Sequence, residues 1–247
     1  MAEVPEQQDE QWFLDRFGGG GPGAGGAGSA LLRDVAAVRA ELYRAPDAAG
    51  VLDRVAAAAV AALPGAGWAS ITIRDLGGEL HTPAYTDPSA LVVDDLQEDS
   101  GEGPFEEATA AAGTGMSGSP DLAREPLWPR FGPQAAGYGI RAVLATGIFP
   151  PHNRPAALSV CATEPRGLAA LDPDVAVLLA GFALPAVERA AGPAVDDLRA
   201  TALLPPVDDD EILGGATAAL VDKRGLSIAE CYPVLRRAAR ELTSVAG

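Results

Sequence analysis

The apolar residues of this chain change period at residue 68, and that change decides its fold class. From Ala30 to Tyr43, Leu31, Val35, Val38 and Leu42 recur at helical spacing; from Ala48 to Leu63, Val51, Leu52, Val55 and Val60 do so again. Pro64-Gly65 ends the second run. Trp68 to Arg74 then alternates and is rich in β-branched residues, which places Ser70, Thr72 and Arg74 on one face of a strand. Gly77-Gly78 supplies a hairpin turn, and Leu80 to Thr86 returns as the partner.

The rest of the first two-thirds continues in mixed periods. Residues 88–98 read as a helix, Gly101-Glu102-Gly103-Pro104 as a loop, and Phe105 to Ala112 as a second helix. Thr114 to Ser117 reads as a short strand and Pro126 to Gly137 as a loop with a short helix. Ile140 to Phe149 and Ala156 to Thr163 are two further strands joined by a turn over Pro150 to Pro155. Asp172-Pro173 opens a last helix carrying Val175, Leu178, Leu179 and Phe182, with proline at the first helical position, where its missing N–H costs nothing. The order αα–ββ–α–α–β–(α)–ββ–α predicts an α+β domain over residues 30–191. Pro193 and Pro205-Pro206 break any continuous helix beyond it, so 192–207 reads as a linker.

Residues 208–247 return to the helical period as a small all-α unit. Ile212, Ala216, Ala219, Leu220 and Lys223 fall on one side of a helix. Asp208, Asp209, Asp210 and Glu211 stand at its front, and Lys223 and Arg224 in its last turn, each sign where the helix dipole favours it. Gly225 ends it with a left-handed residue. Ser227 and Glu230 make a capping box for the next helix. There Ile228, Tyr232, Leu235, Ala239 and Leu242 form an apolar stripe, and Arg236, Arg237 and Arg240 lie off it, spaced to face solvent together. Pro233 falls inside this helix, where it predicts a kink or a cost of about 3 kcal/mol.

A length of 247 residues, 48% of them hydrophobic, suffices for one sizeable domain and a small one. A formal charge of −16 argues against nucleic-acid binding by the chain as a whole, so any such contact must be local; the C-terminal arginines are the dense basic cluster. Cys161 and Cys231 stand in separate candidate domains, and His81 and His152 are far apart, so neither a disulfide framework nor a metal site is expected. No run approaches the roughly 18 apolar residues of a membrane span. The first residues lack the basic and apolar regions of a signal peptide, and a cytoplasmic location is expected. Residues 1–29 read as a disordered tail with a Gly-rich stretch from Gly18 to Gly28. Trp12, Phe13, Leu14 and Phe17 within it read either as a docking motif or as stray hydrophobes.

Two family resemblances attach to these residues. Pro64-Gly65-Ala66-Gly67-Trp68, Gly101-Glu102-Gly103-Pro104, Trp128-Pro129-Arg130-Phe131, Gly139-Ile140-Arg141-Ala142-Val143-Leu144 and Leu171-Asp172-Pro173-Asp174 resemble a GAF domain over about 31–191. Ala216 to Ser227, then Glu230, Leu235-Arg236-Arg237-Ala238 and Val245-Ala246 resemble the ANTAR domain, a three-helix RNA-binding module of bacterial transcription antiterminators, over about 213–246. Gly215, Ala218 and Ala239 depart from its usual Gln, Gly and Ser, and about one turn of the third helix is missing between Arg240 and Leu242.

The resemblance implies an antiparallel sheet with helices on both sides, followed by a helical hairpin. It implies a signal-responsive regulator in which GAF sensing of a small molecule or partner is coupled to antitermination. Structured leader RNA would meet Lys223, Arg224, Arg236, Arg237 and Arg240. Homodimerisation would use the first and last helices of the larger domain. Phe105, Met116, Trp128, Phe131 and Tyr138, from the region that crosses the sheet, would line a ligand pocket or else fill the core. Phe105 stands where many relatives have cysteine, so a thiol-held ligand is not expected. A cyclic nucleotide would need a basic cluster where only Arg124, Arg130 and Arg141 are scattered, and haem an axial ligand that neither histidine offers there. No cofactor and no enzymatic activity are expected: no nucleophile elbow, P-loop or zinc motif is present, and Glu102, Glu106 and Glu107 suit helix N-terminal charge better than catalysis. The competing reading is a degenerate ANTAR protein, acting as a protein-interaction or ligand-sensing module without RNA binding. Pro233, the shortened third helix, the broken linker and the acidic total motivate it.

Overall fold

The computed structural model describes residues 35–75, 77–110, 115–148, 155–190 and 209–246. The tail of 1–29 with Trp12, Phe13, Leu14 and Phe17, the turn at 150–154 and the linker of 192–207 with its prolines lie outside the described residues.

Helix α1 (residues 35–42) and α2 (Ala48–Ala62) precede strands β1 (Trp68–Arg74) and β2 (Leu80–Tyr85). Helices α3 (Ser89–Ser100) and α4 (Pro104–Thr109), strand β3 (Met116–Ser119), a 3₁₀ turn at Leu122–Arg124 and helix α5 (Phe131–Gly137) follow. Strands β4 (Ala142–Ile148) and β5 (Ala156–Ala162) and helices α6 (Pro173–Ala190), α7 (Asp209–Arg224) and α8 (Ile228–Ala246) complete the order. The five strands form one sheet in the order β2-β1-β5-β4-β3, antiparallel at every step. The fold is therefore α+β with a helical C-terminal pair, as the change of period predicts.

The sheet is covered on both sides. Ile71, Ile73, Leu158, Val160 and Ile148 join α2 and α6 in one apolar cluster. On the other face Trp68, Val143 and Cys161 join Val93 and Leu96 of α3 and Phe131 and Ala135 of α5. Local chemistry sets the helix ends. The Asp47 carboxylate accepts the Gly50 N–H at 2.7 Å and starts α2, a cap whose loss typically costs about 1 kcal/mol. Asp172 accepts the Asp174 N–H at 3.0 Å at the start of α6.

Helix α6 organises the packing. Every residue from Val175 to Ala183 is buried, which is the mark of a helix apolar all round. One side meets the sheet and α2; another meets α7 and α8. Ile212, Leu213, Ala216, Leu220, Cys231, Leu235, Ala238, Ala239 and Leu242 belong to the same apolar cluster as α2 and α6. The hairpin's apolar side is thus shared with the larger unit. The approach of α7 depends on a missing side chain: a Cβ at Gly181 would stand 3.2 Å from both the Ala216 Cβ and the Ile212 carbonyl oxygen. Gly181→Leu is expected to push α7 outward at a cost of about 1–3 kcal/mol. Amide hydrogen exchange reads this as lost protection in α7 and α8 with β4 and β5 unchanged; uniform protection would contradict the packing.

Helix α8 continues from Ile228 to Ala246 with Pro233 inside it, so the proline does not end the helix. Pro233 is exposed, and water can take the carbonyl that its missing N–H leaves unpaired. The C-terminal unit is a two-helix hairpin; the described residues hold no separate third helix.

Candidate nucleic-acid interface

The turn between α7 and α8 forms as its residues dictate. Gly225 takes φ +64 and donates its N–H to the Val221 carbonyl at 3.1 Å. The Ser227 N–H reaches the Glu230 carboxylate at 2.8 Å, and the Ser227 hydroxyl donates to the same oxygen at 2.7 Å. Half of a capping box is therefore present, with the carboxylate taking both donors. Those two donors hold the Glu230 carboxyl below the usual carboxylate range.

The buried side of α8 is Cys231, Leu235, Ala238, Ala239 and Leu242, while Ile228 and Tyr232 are only partly covered. This places the three arginines in three different settings. Arg240 is exposed. Arg236 is half-buried, and its Nε is covered with no hydrogen-bond partner among the described residues. Arg237 is held by two acids at the start of α6: its Nε lies 2.8 Å from Asp172 Oδ2, and its terminal nitrogen donates to Asp174, which is buried. A cleft of about 350 Å³ runs between them, lined by Tyr232, Pro233, Arg236, Arg237, Arg240 and Glu241. Lys223 and Arg224 stand in the last turn of α7, with side chains outside the described residues. The structure thus brings Arg236, Arg237 and Arg240 to one cleft beside an aromatic ring, a setting suited to an anion or a stacked base.

The five crossing residues do not converge. Phe131 and Trp128 meet edge-on with centroids 5.9 Å apart, both in the core beneath α3 and α5. Phe105 is fully buried, with the Arg74 guanidinium 5.3 Å from its ring centre. Met116 lies at the sheet edge beside Leu144, Leu168 and Leu171. Tyr138 is 68% exposed, whereas Phe105, Trp128 and Phe131 are buried. The three glutamates are each engaged. Glu102 accepts the Arg130 N–H at 2.8 Å and its Nε at 2.7 Å, which pulls its carboxyl below the usual range. Glu106 pairs with Arg74, and Glu107 accepts the Trp128 Nε1–H at 3.1 Å.

Sequence reasoning passed over two groups in the larger unit. Asp94 of α3 is buried against the sheet, where it accepts the hydroxyls of Thr72, at 2.9 Å, and Thr82, and the Gln97 amide at 3.2 Å. Burial raises its carboxyl to about 6 despite those donors. Asp172 and Asp174 were legible as an α6 start, but nothing local links them to an arginine more than sixty positions away. No protein-family model, no curated protein and no solved structure matches this chain.

Proposed function

We propose that the chain is a signal-responsive regulator in which an α+β sensor of GAF type is coupled to RNA recognition by the α7–α8 hairpin of ANTAR type, acting in transcription antitermination. The observation that carries this reading is the arginine-lined cleft beside Tyr232 on the side of α8 turned away from the core. Clustered arginines contact phosphates in a salt-dependent way, each lost contact lowering the slope of log affinity against log salt by about one. Against an overall charge of −16, attraction of a polyanion must be local, and this cluster offers such a place.

One observation favours the competing reading of an interaction module without RNA: the Arg237 fork is occupied by Asp172 and Asp174. Gel shifts with stem-loop RNAs at low salt separate the two. Arg236→Glu with Arg240→Glu is expected to weaken binding at least tenfold and to flatten the salt dependence; equal binding by wild type and double variant defeats the RNA reading. Asp172→Asn, which keeps the α6 cap, is expected to tighten RNA binding if the acids compete with phosphate for Arg237.

A further inference from the structure

The β1–β2 hairpin carries a second constellation, remote from the arginines in sequence. Asp75, Glu79 and His81 each offer one ligand atom, and these atoms lie within 4.8 Å of one another. The His81 Nε2 is 3.0 Å from Asp75 Oδ2. The other Asp75 oxygen accepts the Glu79 N–H at 3.0 Å, and the Asp75 N–H donates to the Glu79 carbonyl at 2.9 Å. Arg74 fixes the turn from outside by donating to the Gly78 carbonyl at 2.7 Å. The Asp75 carboxylate is thus held by the backbone, and the His81 imidazole by that carboxylate, before any ligand arrives, which lowers the ordering cost of binding.

We propose that the Asp75 and Glu79 carboxylates and the His81 imidazole form a site for one divalent first-row transition-metal ion. Ligand bonds of about 2.0–2.2 Å to histidine nitrogen and carboxylate oxygen put neighbouring donors about 3 Å apart, which is the spacing already present between His81 and Asp75. Glu79 is exposed and closes the remaining gap by side-chain rotation. Imidazole selects transition metals over Mg²⁺ and Ca²⁺, which favour all-oxygen sites. The remaining coordination positions face solvent and take water. The ion replaces the hydrogen bond between Asp75 and His81, so Nε2 must be free of its proton, and affinity falls as the medium is acidified.

This site does not depend on RNA binding by the hairpin, and its test is independent. The full chain is titrated with Zn²⁺ by calorimetry in excess Mg²⁺, roughly millimolar against a micromolar site, to silence general attraction to an acidic surface. One saturable equivalent is expected. His81→Ala and Glu79→Gln, both at exposed or half-exposed positions, are each expected to weaken it at least tenfold with the circular dichroism unchanged. His152→Ala, which removes the chain's other histidine, is expected to leave it intact. Absence of a saturable equivalent, or equal affinity in His81→Ala, overturns the proposal.

Discussion

Phe182→Ala is expected to destabilise the whole chain by about 3–5 kcal/mol, the usual cost of emptying a fully buried aromatic site, against a total stability of about 5–15 kcal/mol for a domain. Phe182 has no exposed surface and lies in the cluster that joins the sheet, α2 and the C-terminal hairpin. Its carbonyl also accepts the Tyr43 hydroxyl at 2.7 Å, so a backbone shift at this point loosens the region after α1 as well. Because α6 is covered by the sheet on one side and by α7 and α8 on another, loss of packing at its centre reaches both. Urea unfolding followed by tryptophan fluorescence and by far-ultraviolet circular dichroism should give one shared transition, moved to lower urea in the variant. Two separate transitions, with the helical signal lost first, would show that the hairpin is an independent unit.

The second large effect depends on pH. Asp94→Asn is expected to raise stability by about 2 kcal/mol at pH 7 and to lower it by about 1 kcal/mol at pH 4, so that the two stability curves cross. Burial lifts the Asp94 carboxyl from 3.8 to about 6. A carboxyl raised on folding holds its proton more tightly in the native state than in the unfolded chain. Its contribution is therefore complete below pH 3.8 and is lost as pH rises through about 6. A shift of about two units corresponds to roughly 3 kcal/mol over that window. Asparagine never ionises and escapes this loss. With its amide oxygen toward Gln97, which is fixed because its carbonyl accepts the Phe105 N–H at 2.8 Å, its NH2 replaces the oxygen that accepts both threonine hydroxyls; one lost hydrogen bond costs about 1 kcal/mol. Parallel curves for the two proteins between pH 4 and 7 would show that Asp94 does not carry the buried charge.

Legibility varied with the distance over which each feature is decided. The strands from Trp68, Ala142 and Ala156 and the helices from Ala48 and Pro173 lie close to where their periods place them, because side-chain alternation is read within a few residues. Ser227 and Glu230 meet as their spacing demands, although one carboxylate takes both donors. The stripe on α8 is displaced: Cys231 and Ala238 are buried where Ile228 and Tyr232 were expected. Both sets fit a helical period, and only the position of α2 and α6 selects between them. The buried carboxyl of Asp94 gave no local signal, since Thr72 and Thr82 reach it from two strands. His81 looked isolated in the sequence for a related reason: the turn at Gly77 and Gly78 folds it back onto Asp75.

The amino-acid sequence alone determined the α+β order, the hairpin turn at Gly77-Gly78 and the helix ends marked by Pro64-Gly65, Asp172-Pro173, Gly225 and Ser227. These follow from backbone sterics, apolar period and short-range capping, all of which act within one or two turns of chain. Tertiary structure alone decided that the all-round apolar α6 is covered by the C-terminal hairpin, and that Arg237 turns to Asp172 and Asp174 while Arg240 stays exposed. Burial and charge pairing depend on which distant segments come together, and a helical period specifies that a face must be covered without specifying by what.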